Sequence, residues 1–352
     1  MAEPRLTEEA KVTEAKIAEE KVLNVYNWVD YIAPETLVEF QKEFGIKVNY
    51  DNFDATPVVE AKLLAGSTGY DVVLQELRYS TRLMRVGVFQ PLNHEKLPLW
   101  GNLDPWVMNS MARDDPGNSY AVPYMWGTTG FTYNIDMVRE RMPDAPVDSA
   151  AMMFDPAVAA HFADCGISLL DDSSTVVLLY LGYEPHSMDP VQLAEAEAVL
   201  KSVRPYIRYI SSGKALNDLP NRDICIAMTW SGDYTQAQAR ADEVGADVKL
   251  AYSVPKEGTV LWFDTWLIPA DAPHPSNAHL FLNFIMRPEI IAAISEFTGY
   301  ANANLASVPF MDPELLNNPA AYPPMQARLG WQAGLIYDPK LERRRTRLWS
   351  RV

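Results

Sequence analysis

An α/β fold in two domains is what this chain predicts, and three features of the sequence predict it. Short apolar strands alternate with amphipathic helices from residue 22 onward, turn residues punctuate them, and 352 residues exceed what one core usually serves. Residues 22–26 read as a strand. Pro34 suits the first turn of a helix whose Leu37, Phe40 and Phe44 share one face, and Gly45 ends it. Ile46, Val48 and Tyr50 alternate with polar residues, which is the strand period. Thr56 and Pro57 supply a cap and a first-turn residue for a helix that runs to Leu64 and closes at Gly66. Residues 71–74 form a short buried strand, so this stretch is βαβαβ and predicts a mostly parallel sheet.

Farther along, 127–134 predicts a strand after a proline-containing loop. A helix from Asp189 and Pro190 carries Leu193, Ala196, Leu200 and Val203 on one face. Residues 224–230 and 261–268 are apolar strands, and 278–294 is an apolar helix interrupted at Arg287 and Pro288.

The formal net charge of −16 argues against a nucleic-acid partner, which would need clustered Lys and Arg, and leaves cationic small ligands open. No run reaches the roughly 20 apolar residues of a membrane span. Residues 1–21 are charged, lack an apolar signal core and read as a flexible lead. Either the protein stays in the cytosol or a signal peptide has been removed. Read alone, the two cysteines, Cys165 and Cys225, fit buried free thiols better than a metal knuckle or a redox pair.

No catalytic constellation stands out, so an enzyme is not expected, nor a metal or other cofactor. His94, His161, His186, His274 and His279 lack ligand spacing, and the nucleotide, lipase and metalloprotease motifs are missing. Gly127-Thr-Thr-Gly130 reads as a strand crossing between lobes rather than a phosphate cradle. What recurs is an aromatic residue beside a carboxylate at a strand end. Trp28 and Tyr31 flank Asp30, Trp230 precedes Asp233, and Trp262 precedes Asp264; Tyr300 lies in a further polar loop. Together these predict one pocket for an organic ammonium: carboxylates and carbonyls accept its three N–H groups, and rings wall its methylene stem.

The chain resembles the periplasmic polyamine-binding proteins of bacterial ABC importers, most closely the putrescine-binding members. The resemblance is carried by Tyr26-Asn-Trp-Val-Asp-Tyr-Ile-Ala-Pro34, Leu64-Ala-Gly-Ser-Thr-Gly-Tyr-Asp71 and Gly87-Val-Phe-Gln-Pro-Leu92. Pro123-Tyr-Met-Trp-Gly-Thr-Thr-Gly130, Asp223-Ile-Cys-Ile-Ala227, Tyr300-Ala-Asn-Ala-Asn304 and Thr346-Arg-Leu-Trp349 extend it to the C-terminus. It implies a two-lobe periplasmic solute-binding fold with a mostly parallel sheet in each lobe and the ligand cleft between them. Lobe 1 would take 22–130 and 263–305, lobe 2 131–262 and 306–352, with the crossings near 127–133 and 261–266. It also implies a Cys165–Cys225 disulfide, a removed signal peptide and a periplasmic monomer that delivers a polyamine to a membrane permease.

Carried over by position, the resemblance implies ligand contacts at Trp28, Asp30, Tyr31, Trp230, Asp233, Trp262, Asp264 and Tyr300. Asp233 and Asp264 would hold one ammonium, Asp30 and an acid near Asp171-Asp172, matched to Asp172, the other end. Departures accompany the matches. Val29 stands where the family has Ser or Thr, and Trp262 matches the larger ring of spermidine-preferring members. Gln75-Glu-Leu-Arg-Tyr79 replaces Pro-Ser-Ala-Ser-Phe, which brings Glu76, Arg78 and Tyr79 beside the pocket, and 170–175 is shortened. Arg78 leaves two readings open. It pairs with Glu76 or Asp172 and trims the pocket, or it selects a ligand with a carboxylate at one end, such as an ω-amino acid or an acidic acyl-polyamine. A signalling subunit of the same fold, reporting polyamine to a membrane sensor, is the alternative to transport.

Overall fold

The computed structural model describes residues 19–53, 56–171, 173–328, 331–333 and 339–351. The predicted βαβαβ start is present. β1 (Val22–Trp28), α1 (Pro34–Phe44), β2 (Lys47–Phe53), α2 (Thr56–Ala65), β3 (Val72–Glu76) and α3 (Leu77–Arg85) follow one another, and β1 is parallel to both β2 and β3. Pro34 occupies the first turn of α1, and Gly45 closes that helix in the left-handed region (φ 64°), where a Cβ would be strained. Val72 and Leu74 belong to one core cluster and Val73 to another, so both faces of this sheet are covered.

The later elements are β4 (Val122–Asn134), β5 (Ile167–Leu169), α4 (Pro190–Val203), β6 (Ile207–Ile210), β7 (Ile226–Trp230), α5 (Ser231–Glu243), β8 (Leu250–Ser253) and β9 (Val260–Leu267). α6 (Pro275–Ile285), α7 (Pro288–Thr298), β10 (Ala301–Asn302), β11 (Gln332–Ala333) and α8 (Pro339–Trp349) complete the set, with shorter helices between. Leu193, Ala196, Leu200 and Val203 are the buried face of α4, as their spacing predicts. The apolar 278–294 run is two helices, because Pro288 opens α7 and cannot donate to a continuing helix.

One strand joins the two halves. The sheet runs β2-β1-β3-β9-β4-β7-β5-β6, with parallel β2-β1-β3 at one end and parallel β7-β5-β6 at the other. Residues Val122 to Thr128 of β4 pair with β9, and from Thr129 onward the same strand pairs with β7 and β8. The chain therefore crosses at Thr128 and Thr129. It returns just before β9, where the Thr259 hydroxyl donates to the Thr129 carbonyl (2.7 Å) and accepts from the Thr129 N–H (3.1 Å). Tyr252 braces the same point with its hydroxyl on the Thr128 carbonyl (3.0 Å).

Two boundaries differ from the expected lobe assignment. Leu261 and Trp262 pair with Thr128 and Gly127, which sets them in the sheet of the first half. Met311, Leu315 and Ala321 pack with Ala292 of α7, so 311–321 also lies on the first half; among the described C-terminal residues, α8 reaches the second core through Leu348. In the expected lead, 1–18 fall outside the described residues, while the Glu19 carboxylate accepts the N–H groups of Ser276 and Asn277 at the start of α6.

A disulfide joins Cys165, ahead of β5, to Cys225, ahead of β7. The reading of two free thiols from spacing alone is thereby corrected: parallel pairing of β5 with β7 brings together two residues that are distant in sequence. The bridge closes a loop across a sequence separation of 60. A crosslink of that span removes about 4 kcal/mol of chain entropy from the unfolded state. A Cys165→Ser/Cys225→Ser variant is accordingly expected to unfold at markedly lower denaturant concentration, with a slope equal to or steeper than the wild type's because the freed unfolded chain exposes more surface, and an unmoved midpoint would contradict this.

Candidate functional site

The aromatic–acid turns converge where the two halves meet. Trp28 ends β1, and its ring lies 4.3 Å from Phe53. Val29 and Asp30 follow as exposed turn residues, Asp30 in the left-handed region (φ 52°) that Asp tolerates better than most residues. The chain then dips inward at Tyr31, which the Tyr124 hydroxyl holds through its carbonyl (2.7 Å) before Pro34 opens α1. Trp28, Trp230 and Trp262 all pack against the same buried cluster that contains Tyr31, Tyr124 and Tyr300. Each indole, from β1, β7 and β9, thus borders the first-half core, and Trp230 borders the second-half core as well.

Close approach of small residues makes that convergence possible. Gly127, on the crossing strand, has no room for a side chain: a Cβ there would lie 2.4 Å from the Trp262 ring and 2.6 Å from the Ser231 hydroxyl. A Cβ on Gly232 would lie 2.5 Å from the Tyr300 ring. The first turn of α5, from the second half, therefore sits directly on Trp262 and Tyr300 of the first. Gln236 of α5 adds a hydrogen bond to the Thr298 carbonyl (2.8 Å).

Two carboxylates are sunk into this contact. Asp233 accepts the Tyr300 hydroxyl (2.7 Å) and the Trp230 N–H (3.3 Å), and it stands at the third position of α5, where an acid satisfies an orphan donor. Asp264 accepts the Tyr31 hydroxyl (2.8 Å). Burial is the main influence on both. It pushes Asp264 up to about 7, with Glu76 adding to the rise and Tyr31 opposing it. It pushes Asp233 up to about 6 against the hydrogen bonds from Tyr300 and Trp230. The tyrosine rings complete the wall, with Tyr31 and Tyr300 centred 5.6 Å apart and Trp262 and Tyr300 5.3 Å apart.

Glu76, Arg78 and Tyr79 adjoin this group at the end of β3. Glu76 pairs directly with Asp264 across β3 and β9. Its carboxylate takes the Arg78 N–H (3.2 Å) as the cap of α3 and the Arg78 guanidinium (3.3 Å) as an ion pair. The same guanidinium lies over the Tyr79 ring at 4.5 Å and donates to its hydroxyl (2.6 Å). Asp172 lies outside the described residues. Val29 and Asp30 are exposed on the β1–α1 turn. One polar residue escaped the sequence reading: the Ser231 hydroxyl is buried and, among the described residues, has no hydrogen-bond partner. Its position between Trp230 and Asp233 on a strand-to-helix turn was the available signal.

Fold and site define a class: a binding protein of two α/β halves joined by crossing strands, with buried carboxylates and aromatic rings at the junction. The chain belongs to the bacterial extracellular solute-binding proteins, whose family model matches residues 35–324. It is 45% identical to the putrescine-binding periplasmic protein PotF of Escherichia coli, over 95% of this chain and 92% of that one. It is 42% identical to the putrescine-binding periplasmic protein SpuD of Pseudomonas aeruginosa, over 96% and 93%. Among solved structures, the spermidine/putrescine ABC transporter substrate-binding protein PotD of Streptococcus pneumoniae superimposes with a TM-score of 0.78 at 30% identity, covering 94% of this chain and 98% of that one. These relatives are substrate-binding proteins, and the chain is one as well rather than an enzyme.

Proposed function

We propose that this protein captures a linear polyamine of the putrescine–spermidine class in the periplasm and delivers it to the membrane permease of an ABC importer. One observation carries the reading: Asp233 and Asp264, two buried carboxylates from opposite halves, stand among Tyr31, Tyr300, Trp230 and Trp262. Burying acids is costly unless a cation is to meet them. A diammonium ligand supplies that cation, and its methylene stem suits indole and phenol faces. The similarity to proteins named for putrescine and spermidine supports the same class.

The mechanism follows from the crossing strands. Trp262, Asp264 and Tyr31 belong to one half, Trp230 and Asp233 to the other. A ligand that touches both sets favours the arrangement in which the halves are together, and the permease reads that arrangement. Trp28 and Tyr300 add ring faces, and the broad Trp262 indole favours a longer stem than a phenyl ring would. The ω-amino acid reading loses ground because Arg78 is already engaged by Glu76 and Tyr79.

Calorimetry and thermal shift against putrescine, cadaverine, spermidine, spermine, 4-aminobutyrate and 5-aminovalerate test the proposal. At a free concentration a hundredfold above its Kd, a polyamine is expected to stabilise the fold by about 2.7 kcal/mol. The two amino acids are expected to leave it unmoved. Silence from all four amines would defeat the substrate class.

A further inference from the structure

We infer that Glu76 and Asp264 together form a two-carboxylate seat for one ammonium of the ligand, with Arg78 as the positioning residue that keeps Glu76 charged. This deepens the polyamine reading and rests on it. Glu76 and Asp264 are directly opposed in antiparallel strands. Opposed residues point to the same face with their Cβ atoms about 5 Å apart. Two carboxylates so placed repel each other, and neither is exposed enough for water to relieve them. A cation between them relieves both.

Arg78 is not that cation for Asp264. Its guanidinium contacts Glu76 and the Tyr79 ring, and the charge that perturbs Asp264 is that of Glu76. Asp264 therefore faces the negative end of the Glu76–Arg78 pair. Among the described residues, the charged groups around Glu76 are Arg78 on its own helix, Asp264 on β9, and Asp114 with its partner Arg113 and nearby Arg85. Burial favours the neutral form of Glu76, Asp114 adds to that, and Arg78 opposes it. Arg78 thus serves as counter-ion to an acid that the ligand also uses. With its guanidinium committed to that role, this end of the site favours ammonium over carboxylate, which makes the pair a selector for diamines against ω-amino acids.

The test uses putrescine and 4-aminobutyrate with the full chain, its Glu76→Gln and Arg78→Met variants and the Glu76→Gln/Arg78→Met double variant, titrated by calorimetry at pH 6, 7 and 8.5. Wild-type binding of putrescine is the control for the polyamine reading: if it fails, that reading fails, and the inference with it. Given wild-type binding, Glu76→Gln is expected to weaken putrescine at least tenfold at every pH. Arg78→Met is expected to weaken it most at pH 6 and to recover at pH 8.5, because Glu76 then ionises later. The double variant, in which no guanidinium is left without its acid, should keep the wild-type melting temperature within a few degrees and still lose the tenfold. A double variant that binds putrescine like the wild type would reduce the pair to a structural brace and overturn the inference. Binding of 4-aminobutyrate by the wild type that disappears in Arg78→Met would overturn it too, by assigning the guanidinium to a ligand carboxylate.

Discussion

Asp264→Asn is expected to weaken putrescine binding by roughly a hundredfold or more at pH 8, and to leave the ligand-free protein as stable as the wild type or more so. Removing one partner of a buried, hydrogen-bonded charge pair costs about 2–5 kcal/mol, and each 1.4 kcal/mol is a factor of ten. Asparagine keeps an oxygen for the Tyr31 hydroxyl, so the local packing around the 2.8 Å contact survives the change. The stability effect has the opposite sign. Burial holds Asp264 at about 7 in the fold, above the ordinary 3.8 of an unfolded aspartate. A carboxylate with a raised folded pKa contributes its stability below about pH 4 and loses it as pH climbs to 7. The loss is on the order of 4 kcal/mol, and an amide does not suffer it. Calorimetry gives the affinity, and thermal melts of both proteins from pH 4 to 8 give the stability. An unchanged Kd would remove Asp264 from the site, and a variant less stable than the wild type at pH 8 would mean that the acid is not desolvated there.

How far the sequence reached depended on whether a signal was local. The first three strands and two helices were legible because their periods and stops lie within a few residues. The Pro34 start and the Gly45 stop of α1 are examples, as is the break at Pro288. β4 begins at Val122, earlier than its apolar pattern suggested, because Pro123 reads as a loop residue. The sheet tolerates it where the pairing with β9 shifts register between Pro123 and Trp126. The side on which 311–321 packs was not legible at all, since it depends on Met311 and Leu315 finding Ala292 across space.

The site divides in the same way. Trp28, Trp230 and Asp233 lie at or just past a strand end, where an α/β sheet offers its ligand groups, whereas Trp262 and Asp264 lie inside β9 and drew notice only as an aromatic residue beside an acid. The Tyr31–Asp264 and Tyr300–Asp233 hydrogen bonds span 233 and 67 residues, and no sequence rule pairs such partners. Residues two apart do not normally face each other, yet Glu76 meets Arg78. Glu76 is the extended cap of α3 and Arg78 already helical, which turns the side chain of one toward the other. Asp30 stands out in the sequence by its aromatic neighbours, and its loop leaves it exposed in the left-handed region.

The affinity for a diammonium ligand is expected to rise as pH increases from 5 to 8. In the ligand-free protein Asp264 titrates near 7 and Asp233 near 6, because both are buried. The ligand's primary ammonium groups, with pKa values near 10, keep their protons throughout this range. Binding therefore requires the acids to ionise, and at pH 5 the ligand must expel a proton from each. The ionised forms that the ligand stabilises are the ones the empty site disfavours, so the dependence carries the sign of an acid whose pKa falls on binding. Between pH 8 and pH 5 the linked cost reaches up to roughly a thousandfold in Kd if both acids release fully. The Tyr31 and Tyr300 hydroxyls do not contribute, since burial beside these acids holds them well above the ordinary tyrosine range. Calorimetry at pH 6 in two buffers of different ionisation enthalpy counts the protons directly: more than one is expected for the wild type, and fewer for Asp264→Asn. An affinity that stays flat from pH 5 to 8 would mean that both carboxylates are already charged before the ligand arrives. The site would then be a solvated acidic rim, and binding would instead weaken steeply with added salt.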